Sequence, residues 1–374
     1  MKINLSGPDI AQADIDAVVA VLKTPTLSLG PKLTEFESLF ARYVGRKHAI
    51  ACNSGTSALH LCLLALGIGP GDEVITTPFS FIATSNTILM AGARPVFVDI
   101  DPKTYNIDIR QIGGKISAKT RAIMPVEVFG NPAGLDQVYE LARRHGLRCI
   151  EDSCEALGSV VNGRKAGTLG DISAFAFYPN KQMTTGEGGI ILTDEDQAAA
   201  LCASLRNQGR DAGAGWLAHA RMGYNYRLSD INCALGITQL RRIEEFKAKR
   251  KQAAGYYERL LGGDRRLITP REPDGCDISW FVYVIRLRDD FTQRDRDQIM
   301  EELRRQSIGC NNYFSPIHLQ PFMVEQFGYK PGDFPVTEQV SQRTIALPFC
   351  NNLTREQAEM VCKTLESALD KIKK

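Results

Sequence analysis

Between His48 and Glu151 the sequence repeats one pattern: a short apolar run, a turn of polar residues, then a longer run at helical spacing. His48 to Cys52 passes through Asn53-Ser54-Gly55-Thr56-Ser57 into Ala58 to Leu66. Glu73 to Thr77 is followed by Phe81 to Met90 and Pro95 to Asp99, and Ala122 to Val128 by Leu135 to His145 and Leu147 to Glu151. Strands that are apolar along their whole length must be covered on both faces, and parallel neighbours need a helix to return the chain. The pattern predicts an α/β fold with a mostly parallel sheet under helices.

The flanking segments extend this reading. An extended N-terminal stretch leads into a helix before Leu22, with Asp9, Asp14 and Asp16 arguing against a signal peptide. Phe36, Leu39, Phe40, Tyr43 and Val44 recur at helical spacing, which predicts a helix over Thr34 to Val44 after the Gly30-Pro31 break. Ile172 to Phe177 and Gly189 to Leu192 read as two strands of a hairpin-like excursion, with Tyr178-Pro179-Asn180-Lys181 between them. Ser229 to Leu261 reads as helical. A boundary is expected near residue 250, because Trp280 to Leu287 then reads as a strand and Thr292 to Gln306 and Thr354 to Ile372 as helices. That makes a small C-terminal α+β domain.

Composition removes several function classes. A formal net charge of +2 over 374 residues, with basic residues dispersed among acids, disfavours nucleic acid as a partner. The ten cysteines form no Cys-x-x-Cys pair, and several lie in apolar runs, as free thiols do in a reducing cytoplasm. The five histidines show no metal-ligand spacing, so no metal is expected. No apolar run reaches the roughly 18 residues that span a bilayer.

Ligands of open α/β sheets sit beyond the carboxyl ends of the strands, which singles out three places. Ser54-Gly55-Thr56-Ser57 would put hydroxyls and free N–H groups at a helix N-terminus, a cup for phosphate, although an N-cap alone explains the residue types. Asp152, at the end of an apolar strand, needs a cationic partner if buried. The protonated nitrogen of a pyridine ring would serve, as would a helix cap or an ion pair. Lys181 lies between the aromatic run Phe175-Ala176-Phe177-Tyr178 and the glycine-dense Thr184-Thr185-Gly186-Glu187-Gly188-Gly189. A surface lysine is the ordinary alternative, but a lysine held inside can supply the neutral amine from which Schiff bases form.

Taken together these runs resemble the DegT/DnrJ/StrS group of nucleotide-sugar aminotransferases. Gly69-Pro70-Gly71-Asp72-Glu73-Val74-Ile75, Pro95-Val96-Phe97-Val98-Asp99, Ile150-Glu151-Asp152, the Lys181 segment and Gly223-Tyr224-Asn225-Tyr226-Arg227-Leu228-Ser229-Asp230 follow in the family order over nearly the whole chain. The resemblance implies the fold of pyridoxal-phosphate-dependent transferases of fold type I, like aspartate aminotransferase. It makes Lys181 the Schiff-base lysine and Asp152 the partner of the ring nitrogen. Phe81 becomes the aromatic stacked on the ring, and Gly55, Thr56 and Ser57 become phosphate ligands. Glu155 falls near the ring hydroxyl, and Asn225 reaches the phosphate from the second subunit of a homodimer. Tyr313 and His318, in the Tyr313 to His318 segment, are weaker candidates for contacts to the sugar or its nucleotide. One departure is Ala176, where many relatives carry a phosphate-binding Ser.

The same resemblance implies transfer of nitrogen from L-glutamate to a nucleotide-linked keto sugar. The Thr184 to Gly189 run is more similar to perosamine synthases and other 4-aminotransferases than to 3-aminotransferases. Sugar 3-dehydratases replace the lysine with histidine, whereas Lys181 is retained. A cofactor-binding regulator without activity is a further alternative, against which Lys181 and Asp152 both count. A nicotinamide oxidoreductase is disfavoured because no Gly-x-Gly-x-x-Gly follows the first strand.

Overall fold

The computed structural model describes residues 2–213, 215 and 217–372. Seven strands form the central sheet: β1 (His48–Cys52), β2 (Glu73–Thr76), β3 (Arg94–Phe97), β4 (Thr120–Ile123), β5 (Arg148–Asp152), β6 (Ile172–Ala176) and β7 (Gly189–Thr193). They lie in the order β1-β7-β6-β5-β4-β2-β3. Strand β7 runs against both of its neighbours, and the other pairs are parallel. The hairpin-like excursion is this reversal: Ala176 of β6 stands opposite Gly189 of β7, and the chain between them carries Lys181.

Strand β6 shows why the sheet is covered twice. Successive side chains point to opposite faces, so Ile172 and Ala174 pack with the helix Gly55–Ala65 while Phe175 packs with Phe36 and Phe40 of the helix Pro31–Val44. Phe175 and Phe40 meet edge-on with centroids 5.6 Å apart. Burying each such ring stabilises the fold by about 1.5–3 kcal/mol, so the two faces together lock β6 in place and with it the root of the loop that follows.

Three boundaries differ from the sequence reading, each for a reason far away in the chain or in cap chemistry. The helix expected from Thr34 begins at Pro31. Proline suits the first helical position because its missing N–H would be unpaired there anyway, and the carboxylate of Asp230 accepts the Gly30 and Lys32 N–H groups at 2.8 and 3.0 Å. The helix expected from Ala58 begins at Gly55, capped by Ser54 Oγ, which accepts the Ser57 N–H at 3.0 Å. The single helical stretch Ser229 to Leu261 is two helices, Asp230–Arg241 and Ile243–Leu261. At the break, the Arg242 guanidinium turns to Asp9 and Asp14 of the N-terminal segment, 3.0 and 3.3 Å away.

The helix Ile243–Leu261 joins two cores. Ile243 and Phe246 pack beneath the central sheet, whereas Ala253, Ala254, Tyr257 and Leu261 pack beneath a three-stranded antiparallel sheet made of β8 (Leu267–Ile268), β9 (Tyr283–Leu287) and β10 (Thr344–Leu347). Helices Gln293–Arg305 and Arg355–Ile372 complete that second core, and Ile3 from the N-terminus joins it. Residue 250 thus lies within a helix common to both. All ten cysteines are free thiols, and among the described residues no helix is long and apolar enough to cross a membrane.

Candidate active site

A cavity of about 660 Å³ opens beyond the carboxyl ends of the strands. It collects Gly55 and Thr56 after β1, Phe81 and Thr84 after β2, Asp152 and Glu155 from the end of β5, Ala176 at the end of β6 and Lys181 after it. Phe281, just before β9, and Tyr313 and Phe314, after the helix Gln293–Arg305, form another part of the wall.

Lys181 reaches the cavity with 13% of its side chain exposed. Its Nζ stands 3.6 Å from Glu155 Oε1 and 4.0 Å from the centroid of the Phe281 ring. The other oxygen of Glu155 accepts the Phe129 N–H at 2.9 Å, from a residue held at φ 61°. Burial pushes the Glu155 carboxyl above the usual carboxylate range, and the Lys181 ammonium and the Phe129 N–H pull it back. The pair is anchored at the carboxylate end by backbone, so the lysine tip has a defined place to rest.

Asp152 is 4% exposed. Its Oδ2 accepts the Thr84 hydroxyl at 2.7 Å, and Oδ1 faces the Cys154 N–H at 3.4 Å. Burial pushes its carboxyl up, while the Thr84 hydroxyl, Cys154 and the Lys181 charge act in the opposite direction. Among the described residues no lysine or arginine forms an ion pair with it. A carboxylate buried with one hydroxyl and one amide is undercompensated, and a cationic N–H in the cavity would complete it.

At the other end of the cavity Gly55 opens a helix whose first N–H groups have no partner inside the helix. A Cβ on Gly55 would lie 2.6 Å from the Ala176 Cβ and 3.2 Å from Cys154 Sγ, so only glycine fits and the backbone stays bare. Amides at a helix N-terminus are a site for an anion. The cavity therefore offers an amine, a carboxylate seeking a cation, aromatic walls and an anion cup, which fits the ring, aldehyde and phosphate of pyridoxal phosphate.

The sequence-derived residues do not all converge. Gly55, Thr56, Phe81, Asp152, Glu155, Lys181 and Tyr313 line the cavity, Phe81 with 62% of its surface exposed. Ser57 does not: its hydroxyl donates to Asn53 Oδ1 at 2.7 Å and its N–H to Ser54, so the cap uses both donors. Asn225 is exposed and lies outside the cavity of its own chain, its carbonyl facing the Asn53 side chain at 3.4 Å. His318 is fully buried elsewhere. Its Nε2 meets Glu338 at 3.1 Å and its ring packs edge-on to Phe334 at 4.7 Å, a packing position that does not line the cavity.

Sequence reasoning passed over Thr84 and Phe281. Thr84 ends the Phe79 to Thr84 run but carries no spacing signal toward Asp152, 68 positions on. Phe281 sits in an apolar stretch indistinguishable from core.

The profile of the DegT/DnrJ/EryC1/StrS aminotransferase family matches residues 8–366. GDP-perosamine synthase from Caulobacter vibrioides is 38% identical over 371 residues, covering 98% of each chain. The spore coat polysaccharide biosynthesis protein SpsC of Bacillus subtilis is 36% identical over 370 residues, covering 96% of this chain and 95% of that one. The solved PLP form of the putative sugar aminotransferase Spr1654 from Streptococcus pneumoniae superposes with a TM-score of 0.93 at 27% identity, covering 100% of both chains.

Proposed function

The chain belongs to the DegT/DnrJ/EryC1/StrS aminotransferase family, and on that premise we propose that it moves the amino group of L-glutamate to C4 of a nucleotide-linked 4-keto-6-deoxyhexose. Membership makes it a pyridoxal-phosphate-dependent sugar aminotransferase, related to perosamine synthases and acting on a nucleotide sugar. The donor, the carbon and the residue roles are the parts proposed. The observation that carries the residue roles is the meeting of Lys181, Glu155 and Asp152 in one cavity at the strand ends.

When bound, pyridoxal phosphate supplies an electron sink for the carbanion that forms beside the transferred nitrogen. Lys181 would anchor it covalently and would serve as the base that carries the proton from the donor's α-carbon. Its Nζ stands 3.6 Å from Glu155 and 4.0 Å from the Phe281 ring centroid, the two groups that limit where the amine can go. Asp152 would hold the proton on the ring nitrogen, with Thr84 fixing Oδ2 and leaving Oδ1, which has only the long 3.4 Å contact to the Cys154 N–H, to receive it. The Gly55 and Thr56 amides would receive the phosphate, and Phe81 would cover one face of the ring. Because Ala176 offers no hydroxyl, the backbone bears more of that anion than in relatives with serine. Asn225, exposed on its own chain, is available to a second copy, in line with a homodimer that shares its active sites. Ten free thiols suit a reducing cytoplasm.

The sugar carbon is suggested by the Thr184 to Gly189 run and by the perosamine synthases at 34–38% identity. The test is an absorbance spectrum of the purified protein with and without L-glutamate beside Lys181→Ala, followed by product analysis with 4-keto and 3-keto sugar nucleotides. A visible band that glutamate shifts to shorter wavelength, absent in the variant, together with a 4-amino product, supports the reading. A protein that takes up the cofactor without such a band would move the assignment to a silent regulator, and a 3-amino product would correct the carbon alone.

A further inference from the structure

Arg250 is among the largest fully buried side chains of the described residues, 1% exposed, and it has no carboxylate partner among them. Its guanidinium spends its donors on neutral oxygens instead. Nε donates to Asn351 Oδ1 at 2.7 Å, Nη1 to the carbonyls of Phe281 and Trp280 at 2.9 and 3.3 Å, and Nη2 to the carbonyl of Lys181 at 2.9 Å. Burial lowers its pKa to about 10, so it is a cation at neutral pH. A buried cation facing only carbonyls is a costly way to fill space, since an apolar side chain of similar volume would pack there without desolvating a charge.

The acceptors show what the arrangement achieves. One is the peptide carbonyl of Lys181 itself. Another belongs to Phe281, whose ring lies 4.0 Å from Lys181 Nζ. One rigid planar group therefore fixes both the root of the lysine and the surface at its tip. The next residue adds a second tie: Gln182 Nε2 donates to the carbonyls of Glu155 at 2.5 Å and Ser279 at 2.9 Å. Lys181 is on a loop between β6 and β7, and a loop residue that must deliver a proton to within a fraction of an ångström needs such support. Arg250 can supply it because its helix passes between the two cores and Asn351 holds it from the far side.

We propose that Arg250 is a positioning residue for amine transfer, setting where Lys181 Nζ stands through the Lys181 carbonyl and the Phe281 peptide. This rests on the proposed role of Lys181, and Lys181→Ala with full transfer activity would end both. The test compares Arg250→Lys, Asn351→Ala and Phe281→Leu with wild type in two ways. In the cofactor-free protein, reductive methylation by formaldehyde with cyanoborohydride as the hydride donor is followed at Lys181 by peptide mass spectrometry, with Lys251 and Lys371 as surface standards. In the holoenzyme, kcat and KM are measured for each substrate.

Arg250→Lys keeps the charge but cannot reach all four acceptors. Its kcat is expected to fall about 100-fold with each KM within threefold, the size of loss that a displacement near 1 Å causes. Lys181 methylation is expected to speed up several-fold against the standards. Asn351→Ala and Phe281→Leu should shift both readouts in the same direction by about 3- to 10-fold, and they decide the matter if Arg250→Lys does not fold. Unchanged Lys181 labelling in the folded variants, or a loss that appears only as raised KM or as a lower fraction of folded protein, would overturn the proposal.

Discussion

Replacing Thr84 by valine isolates the part of the site that sets the charge on Asp152. The two side chains have nearly the same shape, so the change removes one hydroxyl and little packing. That hydroxyl donates to Asp152 Oδ2 at 2.7 Å in a place where neither group meets water. A hydrogen bond to a charged group contributes about 1.5–3 kcal/mol, which corresponds to about 10- to 150-fold in an equilibrium or rate constant. Burial already pushes the Asp152 carboxyl up, and the Thr84 hydroxyl is the first influence that holds it down. Without it, the free protein keeps the carboxyl protonated to higher pH, whereas a ring nitrogen that carries a proton requires the ionised form. Thr84→Val should thus weaken cofactor binding within that range, with the deficit largest toward low pH and shrinking as pH rises and the proton leaves. The assay is an equilibrium titration of cofactor-free protein with pyridoxal phosphate from pH 6 to 9, beside the thermal midpoint of the cofactor-free state. Binding within twofold of wild type across that range would refute the pairing of Asp152 with a cationic ring nitrogen. A pH-independent loss would point to altered shape alone.

Glu127 tests the carboxylates behind the site. Burial and then the charges of Glu151 and Asp152 push its carboxyl well above the usual range, and one of its oxygens has no partner. A raised folded-state value means stability that is complete below the unfolded carboxylate range and is lost as pH rises toward the folded value. Glu127→Gln should therefore raise the thermal midpoint at pH 8 and match wild type below about pH 4; a variant less stable at pH 8 would show that the ionised form is compensated. Ala176→Ser puts a hydroxyl beside the bare Gly55 amide and should tighten cofactor binding by about 3- to 10-fold. Equal or weaker binding in that titration would mean the phosphate sits elsewhere. His318→Ala should lower stability by about 1–3 kcal/mol, by loss of its bond to Glu338 and its packing. The KM for the nucleotide sugar should not change, and a raised KM at unchanged stability would return His318 to the substrate site.

What was legible in the amino-acid sequence was everything carried by short-range pattern. The alternation of apolar runs and turns determined a parallel sheet covered on both faces, because strands apolar along their length have no other stable home. The positions of Asp152 and Lys181 at the ends of such runs marked them as cavity residues, because strand ends are where a sheet opens to a ligand. Gly55 was legible for the same reason, and its fit against Ala176 gives that position its physical basis.

What tertiary structure decided was every role that depends on a partner distant in sequence. Pro31 begins its helix because Asp230, about 200 residues on, takes its orphan amides. Ser57 is spent on a cap that spacing cannot tell from a phosphate cup, and His318 faces Glu338 because the segment from Tyr329 to Glu338 folds against it. Thr84, Phe281 and Arg250 have no motif of their own. Each acquires its role by direct contact with Asp152 or Lys181: Thr84 once β2 and β5 lie in one sheet, Phe281 and Arg250 once the second core closes on the helix Ile243–Leu261. Periodicity records which face of an element is buried; which buried group then meets a given carboxylate or amine is fixed by packing, because hydrogen bonds form within about 3 Å however far apart their partners lie in the chain.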